Sequence, residues 1–438
     1  MDVTLLKWSL LVLKVFLPIT VTAGQQKKLQ SISIPSAASN SGELPLPDFD
    51  SGWFPLISQH RSYSITNIPH NLGEVPLLVD VRVKVLDGPN KGYIFKATGG
   101  VPRDDDENTK YGGVVYIYND KSFIISSPNA YNALQKVGSA VYTEQGPYYT
   151  GPNQQISHSV AVNARAWLAK TLPPPDFKRS VSVKAGNLSL PSENYIEEEH
   201  GLNEYPPMVI ARLKFTSYET WMSECVGGNF ITYTHGGNPP NSYIVYGFNN
   251  KMIRVWVDSM FNAFLFVGND GYQYRPSTKY GTVEMFAWAR KSFTPPYMSM
   301  VSKLGPGVLN EQLEQTHQTM STNSFTRAWV RPDTGPNAGF MFEGRGSMAS
   351  SPYHRDDVCT YGGLVYAYNE HMIRFWRPSD SYNGGLVCVS KGFGYGVNSQ
   401  LSLDADVLVA SWLLPDVFMK YPADFTNIKE TCRKTSLP

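Results

Sequence analysis

Charged residues are scarce in this chain. Of its 438 residues only 17% are Asp, Glu, Lys or Arg, and the formal net charge is +1. A nucleic-acid-binding protein usually carries a clear excess of Lys and Arg, so the composition argues against a nucleic-acid partner. After the N-terminal segment, no stretch approaches the roughly 18 apolar residues of a membrane span. We therefore expect no membrane span once that segment is removed.

Local catalytic motifs are also lacking. The sequence contains no His-Glu-x-x-His, no Gly-x-Ser-x-Gly and no Gly-x-x-x-x-Gly-Lys. A site dispersed over several loops would leave no such trace, but a module that recurs with different polar residues is a poor setting for one. We therefore expect a protein that is not an enzyme.

Cysteine is rare, with four residues in the chain, and no two of them have the Cys-x-x-Cys spacing. A zinc site is therefore not expected. An even number of cysteines suits an oxidising compartment, where they usually form disulfides. Three pairings are possible. We favour Cys359 with Cys388, both in the last third of the chain, which leaves Cys225 to reach Cys432.

The N-terminal segment would place the chain in such a compartment. Residues 1–23 contain an apolar run with small residues at Val21 and Ala23, as in a cleaved secretory signal. A signal anchor is the alternative, because Lys14 interrupts the run. Asn187-Leu-Ser189 is an acceptor sequence for N-glycosylation. These features predict a secreted, extracellular glycoprotein.

What the chain has in abundance is internal repetition. Tyr111-Gly-Gly-Val-Val-Tyr-Ile-Tyr-Asn119 returns as Tyr361-Gly-Gly-Leu-Val-Tyr-Ala-Tyr-Asn369, and a weaker third copy ends at Asn249. Gly88-Pro-Asn likewise returns 247 residues later as Gly335-Pro-Asn. Each copy closes with an alternating strand and a tryptophan, followed by proline, which cannot extend a strand ladder. The predicted segments are a signal peptide at 1–23, a low-complexity N-terminal segment at 24–47, β modules at 48–176, 177–296 and 297–425, and a C-terminal tail at 426–438.

Each module has the size and composition of a β-sandwich. Roughly 120 residues with several short runs of β-branched and aromatic residues match a sandwich or jelly roll and exceed a propeller blade. We predict an all-β chain of three tandem β-sandwich or jelly-roll-like modules. Each module would fold around its own core between proline-rich linkers, so that a fragment from about Ser299 onwards would fold alone.

A β-hairpin is predicted at each repeated motif. The Asn that ends the motif tolerates the positive φ of a tight turn, and the second arm follows at once as His371-Met-Ile-Arg-Phe-Trp376. A two-residue turn then places Trp376 opposite Gly363 and Arg374 opposite Val365. Because side chains alternate along a strand, Arg374 and Trp376 share one face, which we expect to be displayed.

The pairs Arg254 with Trp256 and Arg374 with Trp376 are the candidate ligand-binding residues. An exposed tryptophan stacks on a sugar ring or a partner's side chain, and the neighbouring guanidinium supplies paired donors. The alternative is a tryptophan folded onto the next strand with the arginine stacked over it, a cation–π pair worth about 1 kcal/mol. The first module lacks both residues.

Two acidic loops are the candidate metal sites. Clustered carboxylates suit Ca²⁺, which takes six to eight oxygen ligands. A solvated acidic loop is the commoner explanation, because the spacing matches no calcium loop. The residues are Asp104, Asp105 and Asp106 before the first motif, and Asp356 and Asp357 before the last.

The recurring histidines and the closing tryptophans have structural interpretations. His70, His200 and His317 would be hydrogen-bonded residues at the start of a strand, rather than ligands or pH sensors. The closing tryptophans, which we expect to anchor the module cores, are Trp167, Trp288 and Trp412.

The succession of Tyr-Gly-Gly-x-Val-Tyr-x-Tyr-Asn, Ile-Arg-x-Trp and a closing strand that ends in Trp resembles repeat modules of secreted marine-invertebrate proteins. Some of those proteins occur in skeletal organic matrix. The likeness covers nearly the whole chain after the signal, and it implies a location rather than a mechanism. His70-Asn-Leu-Gly73, followed by a proline and an alternating strand, is similar to the opening of H-type lectin and phage-fibre β-sandwich modules.

We therefore expect a secreted, non-enzymatic component of an extracellular matrix, including a skeletal or biomineral matrix, or of an adhesion system. Its partners would be extracellular matrix proteins or glycans. A carbohydrate-binding, lectin-like protein is the alternative, and a hydrolase of extracellular polymers is the third interpretation. Ca²⁺ is the only cofactor that the sequence suggests.

Overall fold

The computed structural model of the chain is built from β-strands, with one short 3-10 turn at Gly394–Gly396 and no α-helix in the described residues. The predicted all-β class is therefore confirmed. The described residues are 32–33, 43–60, 62–99, 111–129, 138–143, 149–186, 194–216, 221–228, 243–259, 265–266, 277–293, 295, 297–305, 313–317, 319–347, 361–378 and 384–415.

The strands fall into three sets with the same order along the chain. A short strand, β1 (Ile32–Ser33), precedes them. The strands of module 1 are β2 (Phe49–Asp50), β3 (Phe54–Ile57), β4 (Ile65–Pro69), β5 (Leu78–Val85), β6 (Ile94–Lys96), β7 (Tyr111–Gly112), β8 (Val115–Tyr118), β9 (Ser122–Ser126), β10 (Gly138–Ser139), β11 (Val141–Tyr142), β12 (Tyr149–Thr150), β13 (Ile156–Ser157) and β14 (Ser159–Trp167). Those of module 2 are β15 (Phe177–Lys184), β16 (Tyr195–Glu199), β17 (Met208–Phe215), β18 (Met222–Glu224), β19 (Val245–Phe248), β20 (Met252–Trp256), β21 (Leu265–Phe266), β22 (Ser277–Thr278) and β23 (Tyr280–Trp288). Those of module 3 are β24 (Tyr297–Leu304), β25 (Glu314–Thr316), β26 (Ser324–Arg331), β27 (Phe342–Glu343), β28 (Tyr361–Gly362), β29 (Val365–Tyr368), β30 (Met372–Pro378), β31 (Gly384–Gly385), β32 (Val387–Val389), β33 (Gln400–Ser402) and β34 (Ala405–Leu413).

Each module is a β-sandwich, as the sequence predicts. One sheet has four strands, in the order β15-β23-β17-β18 in module 2, and the other has three, in the order β16-β20-β19. Aromatic contacts join the two sheets of a module. Phe49 of module 1 stacks on Phe123 at 6.0 Å between ring centroids, and Phe177 of module 2 packs edge-on against His200 at 6.3 Å. Together with the buried apolar side chains of both sheets, these aromatic contacts form the core of the sandwich.

The modules are joined edge to edge. The outer strand of each four-stranded sheet meets the three-stranded sheet of another module: β6 pairs with β29, β18 pairs with β8, and Met341 bridges to Phe248 of β19. Sheets of nine and seven strands result at two of the junctions, and the isolated bridge joins a five-stranded to a three-stranded sheet at the third. The three junctions run in one cyclic order that closes a ring. The expectation of separate modules on proline linkers is therefore wrong. Each module has two open sheet edges, and another module supplies the missing main-chain partners.

The hairpin of module 3 has a different register from the predicted one. Val365 lies opposite Trp376 and Ala367 opposite Arg374, a shift of two residues. The cause is Asn369. Its side-chain oxygen accepts a hydrogen bond from the backbone N–H of His371 at 2.8 Å, so Asn369 is the last residue of the strand and the turn comes after it. Its φ is not positive. A shift of two keeps every side chain on its predicted face.

The sheets approach one another closely at one repeated glycine position. Gly99 and Gly346 each lie three residues beyond the outer strand of their own module, at β6 and β27. A Cβ atom on Gly99 would lie 1.9 Å from the carbonyl oxygen of Glu224, and one on Gly346 would lie 2.0 Å from that of Lys96. Any side chain here would force two modules apart.

The closing tryptophans connect the cores of the three modules. Trp288 packs on Phe293, and Phe293 packs on Trp412 at 5.5 Å. Phe325 then contacts both Trp412 at 5.4 Å and Trp167 at 6.2 Å. All three tryptophans are buried, which confirms their predicted place in the core. They belong to one shared aromatic cluster and not to three separate anchors.

Candidate functional site

Trp256 and Trp376, the rings predicted to be displayed, are both fully buried at 0% exposure. Each indole N–H donates to a main-chain carbonyl of another module. Trp376 Nε1 reaches Pro152 O at 2.7 Å, and Trp256 Nε1 reaches Val397 O at 2.9 Å. Neither ring offers a stacking surface to a ligand, so the predicted binding site at these residues is wrong.

Trp376 is covered because the three-stranded sheet of module 3 continues into module 1. In an isolated module, Trp376 would lie on the outer face of that three-stranded sheet. Here that sheet continues into module 1, so Trp376 stacks on Phe95 of β6 with ring centroids 5.5 Å apart. The loop of module 1 then closes over the ring at Gly151, where a Cβ atom would lie 2.3 Å from Cδ1 of the indole. Trp256 stacks in the same way on Phe342 of β27.

The neighbouring arginine clamps the same pair of modules. Arg374 Nε donates to Glu314 Oε1 at 2.6 Å within module 3. Its Nη1 donates to Pro89 O at 3.1 Å and to Asn90 Oδ1 at 2.7 Å in module 1. The guanidinium carbon lies 4.0 Å from the ring centroid of Tyr93. All of these partners come from this chain, so the arginine serves the joint between modules.

Arg254 makes the equivalent clamp between modules 2 and 3. It donates to Glu197 at 3.0 Å, to Pro336 O at 2.7 Å and to Asn337 Oδ1 at 2.9 Å. Its guanidinium carbon lies 4.1 Å from the ring centroid of Phe340. Both arginines therefore recognise a Gly-Pro-Asn loop of the next module.

A sequence signal for this clamp exists. Module 1 has Ile124 and Ser126 where the other modules have Arg and Trp, and the next module has Thr216-Ser-Tyr-Glu-Thr-Trp221 instead of a Gly-Pro-Asn loop. The Arg and Trp residues occur only where the following module, in cyclic order, supplies the loop. That correlation would have identified an interface between modules.

A cluster of buried charges lies where the outer strands of the three modules meet. Lys96 Nζ lies 2.5 Å from Glu343 Oε1 and 3.1 Å from Glu224 Oε2, so one residue of each module contributes. Arg327 reaches Glu343 at 3.1 Å and Glu224 at 3.7 Å. Asp80 lies 3.9 Å from Arg327. The charges alternate in sign across the meeting point.

Two acids of this cluster are held in the charged form. Burial by itself would raise the pKa of Glu343, but Lys96 and Arg327 outweigh it and the pKa is lowered. Burial would likewise raise the pKa of Asp80, and Arg165, Arg327 and a third arginine lower it overall. A buried charge pair of this kind contributes little net stability but makes the loss of one partner costly. The cluster favours one arrangement of the modules.

The recurring histidines follow a strand instead of starting one, which corrects the prediction of their position. His70 Nε2 contacts Asn119 O at 3.0 Å, and His200 Nε2 contacts Asn249 O at 3.0 Å. The backbone N–H two residues on donates to Nδ1 in both, so Nε2 carries the proton. Each ring ties a strand end to the hairpin turn of its module. The expectation that they are hydrogen-bonded structural residues is confirmed for these two.

One of the two predicted disulfides is not formed. Cys225 is a buried free thiol, so the pairing with Cys432 is wrong. Burial, with a smaller effect of Glu224, raises the pKa of this thiol well above its usual value. Cys388 is disulfide-bonded. Cys359 and Cys432 lie outside the described residues, so the pairing of Cys359 with Cys388 stays a prediction.

The predicted calcium and glycosylation sites also lie outside the described residues. Among the residues that the structure describes, no group of three or more His, Cys, Asp or Glu side chains is arranged to hold a metal ion. The residues concerned are Asp104, Asp105, Asp106, Asp356, Asp357 and Asn187.

A small cleft opens where module 3 contacts module 2. Its volume is about 100 Å³. The floor contains Trp329 of β26 and Leu408 of β34, which lie opposite each other in the sheet. The walls are apolar, and two arginines also line the cleft. The lining residues used below are Met298, Met300, Met341, Arg290 and Arg331.

Comparison of the chain with protein-family models, with curated proteins and with solved structures finds no match. No helix of membrane-spanning length and hydrophobicity occurs among the described residues.

Proposed function

We propose that this protein is a secreted, non-enzymatic component of an extracellular matrix or adhesion system, in which its three modules act as one rigid block. The observation that supports the proposal is the closed ring of sheets, because every module completes a sheet of its neighbour. Opening one module then requires breaking main-chain hydrogen bonds of a second. Such coupling suppresses the local unfolding that exposes a protein to proteases and mechanical load.

The joints between modules support the same proposal. A buried tryptophan, an arginine clamp and a shared aromatic cluster hold surfaces that a flexible string of modules would leave open to solvent. A protein whose modules worked independently would need none of them. Extracellular matrix proteins are the partners that suit a rigid block of this kind.

Secretion is tested by expressing residues 1–438 in animal cells with a C-terminal tag. We expect the protein in the medium or the matrix fraction, with a new N-terminus close to residue 24. As a control, residues 1–23 are replaced by an unrelated secretory signal. Retention of the native chain inside the cell with residues 1–23 intact, while the control is secreted, would contradict the proposal.

Binding separates a matrix component from the lectin alternative. The purified protein is applied to immobilised extracellular matrix proteins and to a glycan array. A matrix component should bind matrix protein and show no saturable binding to sugars. Saturable binding that a free sugar competes away would favour a lectin, whose site would then lie away from the buried Trp256 and Trp376.

A further inference from the structure

We infer that the cleft of module 3 is a binding site for a long-chain carboxylate, with the aliphatic chain on Trp329 and the methionines and the carboxylate towards the arginines. This site is independent of the proposed matrix function. The first evidence is a difference between the modules at one position of the fold.

Four residues before the closing tryptophan, each module has a cross-strand pair at the same place in its sheet. In module 1 the pair is Asn163 with Arg82, and in module 2 it is Glu284 with Arg212. Both pairs are polar and mutually bonded, at 2.6 Å and 2.8 Å. In module 3 the pair consists of Trp329 and Leu408. Arg82 and Arg212 each donate also to a main-chain carbonyl of another module, at Thr322 and Pro76. Module 3 alone has an apolar pair at this position, and that pair forms the floor of the cleft.

Trp329 carries the second observation. Its ring lines the cleft, it is 4% exposed, and its Nε1–H has no hydrogen-bond partner among the residues that the structure describes. The indole N–H groups of four other tryptophans donate to main-chain carbonyls, namely Trp167, Trp256, Trp288 and Trp376. Trp412, which does not line the cleft, also has no partner among the described residues. A buried donor without a partner is costly, and an acceptor oxygen supplied by a ligand would remove that cost.

The walls suit a flexible aliphatic chain. Met298, Met300 and Met341 line the cleft, and methionine is unbranched and adapts its shape to irregular apolar partners. Met300 lies opposite Leu408, whereas the equivalent residue of module 2 is Ser180, opposite Glu284.

The charge at the cleft selects an anion. Arg290 and Arg331 line it. Arg331 is paired with Asp406 at 2.7 Å, and a guanidinium has five N–H donors, enough to hold a ligand carboxylate as well. Among the apolar ligands that would fill the cleft, those with an anionic end are therefore favoured over neutral or cationic ones.

The test is calorimetric titration of the full chain with dodecanoate, alongside dodecyltrimethylammonium as a chain of equal length with a cationic end. We expect saturable binding of about one dodecanoate per chain and at least tenfold weaker binding of the cation. Absence of saturable dodecanoate binding, or equal binding of the two amphiphiles, would overturn the inference.

Three variants locate the site. The double substitution Trp329→Arg with Leu408→Glu gives module 3 the polar pair of module 2, and it should weaken dodecanoate binding more than tenfold. Met300→Ser introduces the residue of module 2 at a half-buried position and should weaken it about threefold, even if the double variant fails to fold. Leu401→Ala, at an exposed leucine that does not line the cleft, is the control and should bind as the native chain does. Unchanged affinity in both folded cleft variants would place the binding elsewhere and refute the site.

Discussion

Trp376 of module 3 donates its indole N–H to the carbonyl oxygen of Pro152 in module 1 at 2.7 Å, across 224 residues of chain. This bond is part of the joint that links the last module to the first and closes the ring. The strand face that carries Arg374 and Trp376, which alternation predicts to be displayed, is therefore buried in a joint between modules. The contribution of this joint to the stability of the protein can be tested directly.

The first prediction concerns that joint. Trp376→Ala removes a fully buried indole and should lower the free energy of unfolding by about 3–5 kcal/mol, through lost burial and the cavity left behind. Denaturant unfolding followed by circular dichroism measures the change. Tyr395→Ala, at a ring that is 40% exposed, is the control and should change stability by less than about 0.5 kcal/mol. Equal effects of the two substitutions would mean that Trp376 is not part of a joint.

The second prediction concerns the arginine clamp. Arg374→Ile introduces the residue that module 1 has at this position, and it leaves Glu314 and Asn90 without their partner. We expect a loss of about 1–3 kcal/mol, because hydrogen bonds to charged groups are worth this much and the partners stay partly buried. A double-mutant cycle of Arg374→Ile with Asn90→Ala should give a coupling of about 0.5–3 kcal/mol. Additive effects would show that the two residues do not interact.

The third prediction reverses the expectation that module 3 folds alone. A fragment of residues 297–425 lacks β6, the partner of β29, and so leaves that sheet edge and Trp376 uncovered. Three copies could not imitate the ring, because each would bring Glu343 to the meeting point where the native chain has Lys96 beside two glutamates. We expect an aggregated or molten fragment by light scattering and circular dichroism. A monomer with a cooperative thermal transition would contradict the interlocked arrangement.

Alternation and repetition in the sequence were enough to predict the all-β class and three sandwich modules. They assigned Arg374 and Trp376 correctly to one face of the hairpin, despite the register error at Asn369. Alternation cannot say what covers a face, because the covering residue Pro152 lies in another module. The sequence therefore left the covered tryptophan as an alternative to the displayed one, and the structure shows that it is covered.

Comparison between repeats carries the information that a single motif lacks. Module 3 has Arg and Trp in β30, and the module that it contacts, module 1, has the Gly-Pro-Asn loop. Module 1 has Ile124 at the position of the Arg, and the module that it contacts, module 2, lacks the loop. The same comparison distinguishes Trp329 from Arg82 and Arg212 and so indicates the cleft. The charge cluster at Lys96 is harder to predict, since it depends on three strands that are distant in sequence.

The last prediction concerns pH. His317 is fully buried, with Nε2 3.1 Å from Ser411 Oγ and Nδ1 3.0 Å from Thr319 Oγ1, and burial lowers its pKa to about 4. In the unfolded chain a histidine has a pKa of about 6.5, so protons bind preferentially to the unfolded state. The contribution of neutral His317 to stability is therefore complete above about pH 6.5 and is lost as the pH falls towards about 4.

This difference between the pKa of His317 in the folded and in the unfolded chain lowers the free energy of unfolding by about 3 kcal/mol once the pH lies below both values. Denaturant unfolding at several pH values between 7 and 4 should show this loss in the native chain, added to the losses from buried carboxylates. His317→Gln should lack the histidine component, so the difference between the two chains should shrink or reverse as the pH falls. His371→Gln, at an exposed histidine whose side chain is 60% accessible, is the matched control for the same substitution outside the core. Parallel pH profiles of the native chain and His317→Gln would show that the buried histidine does not set this part of the acid response.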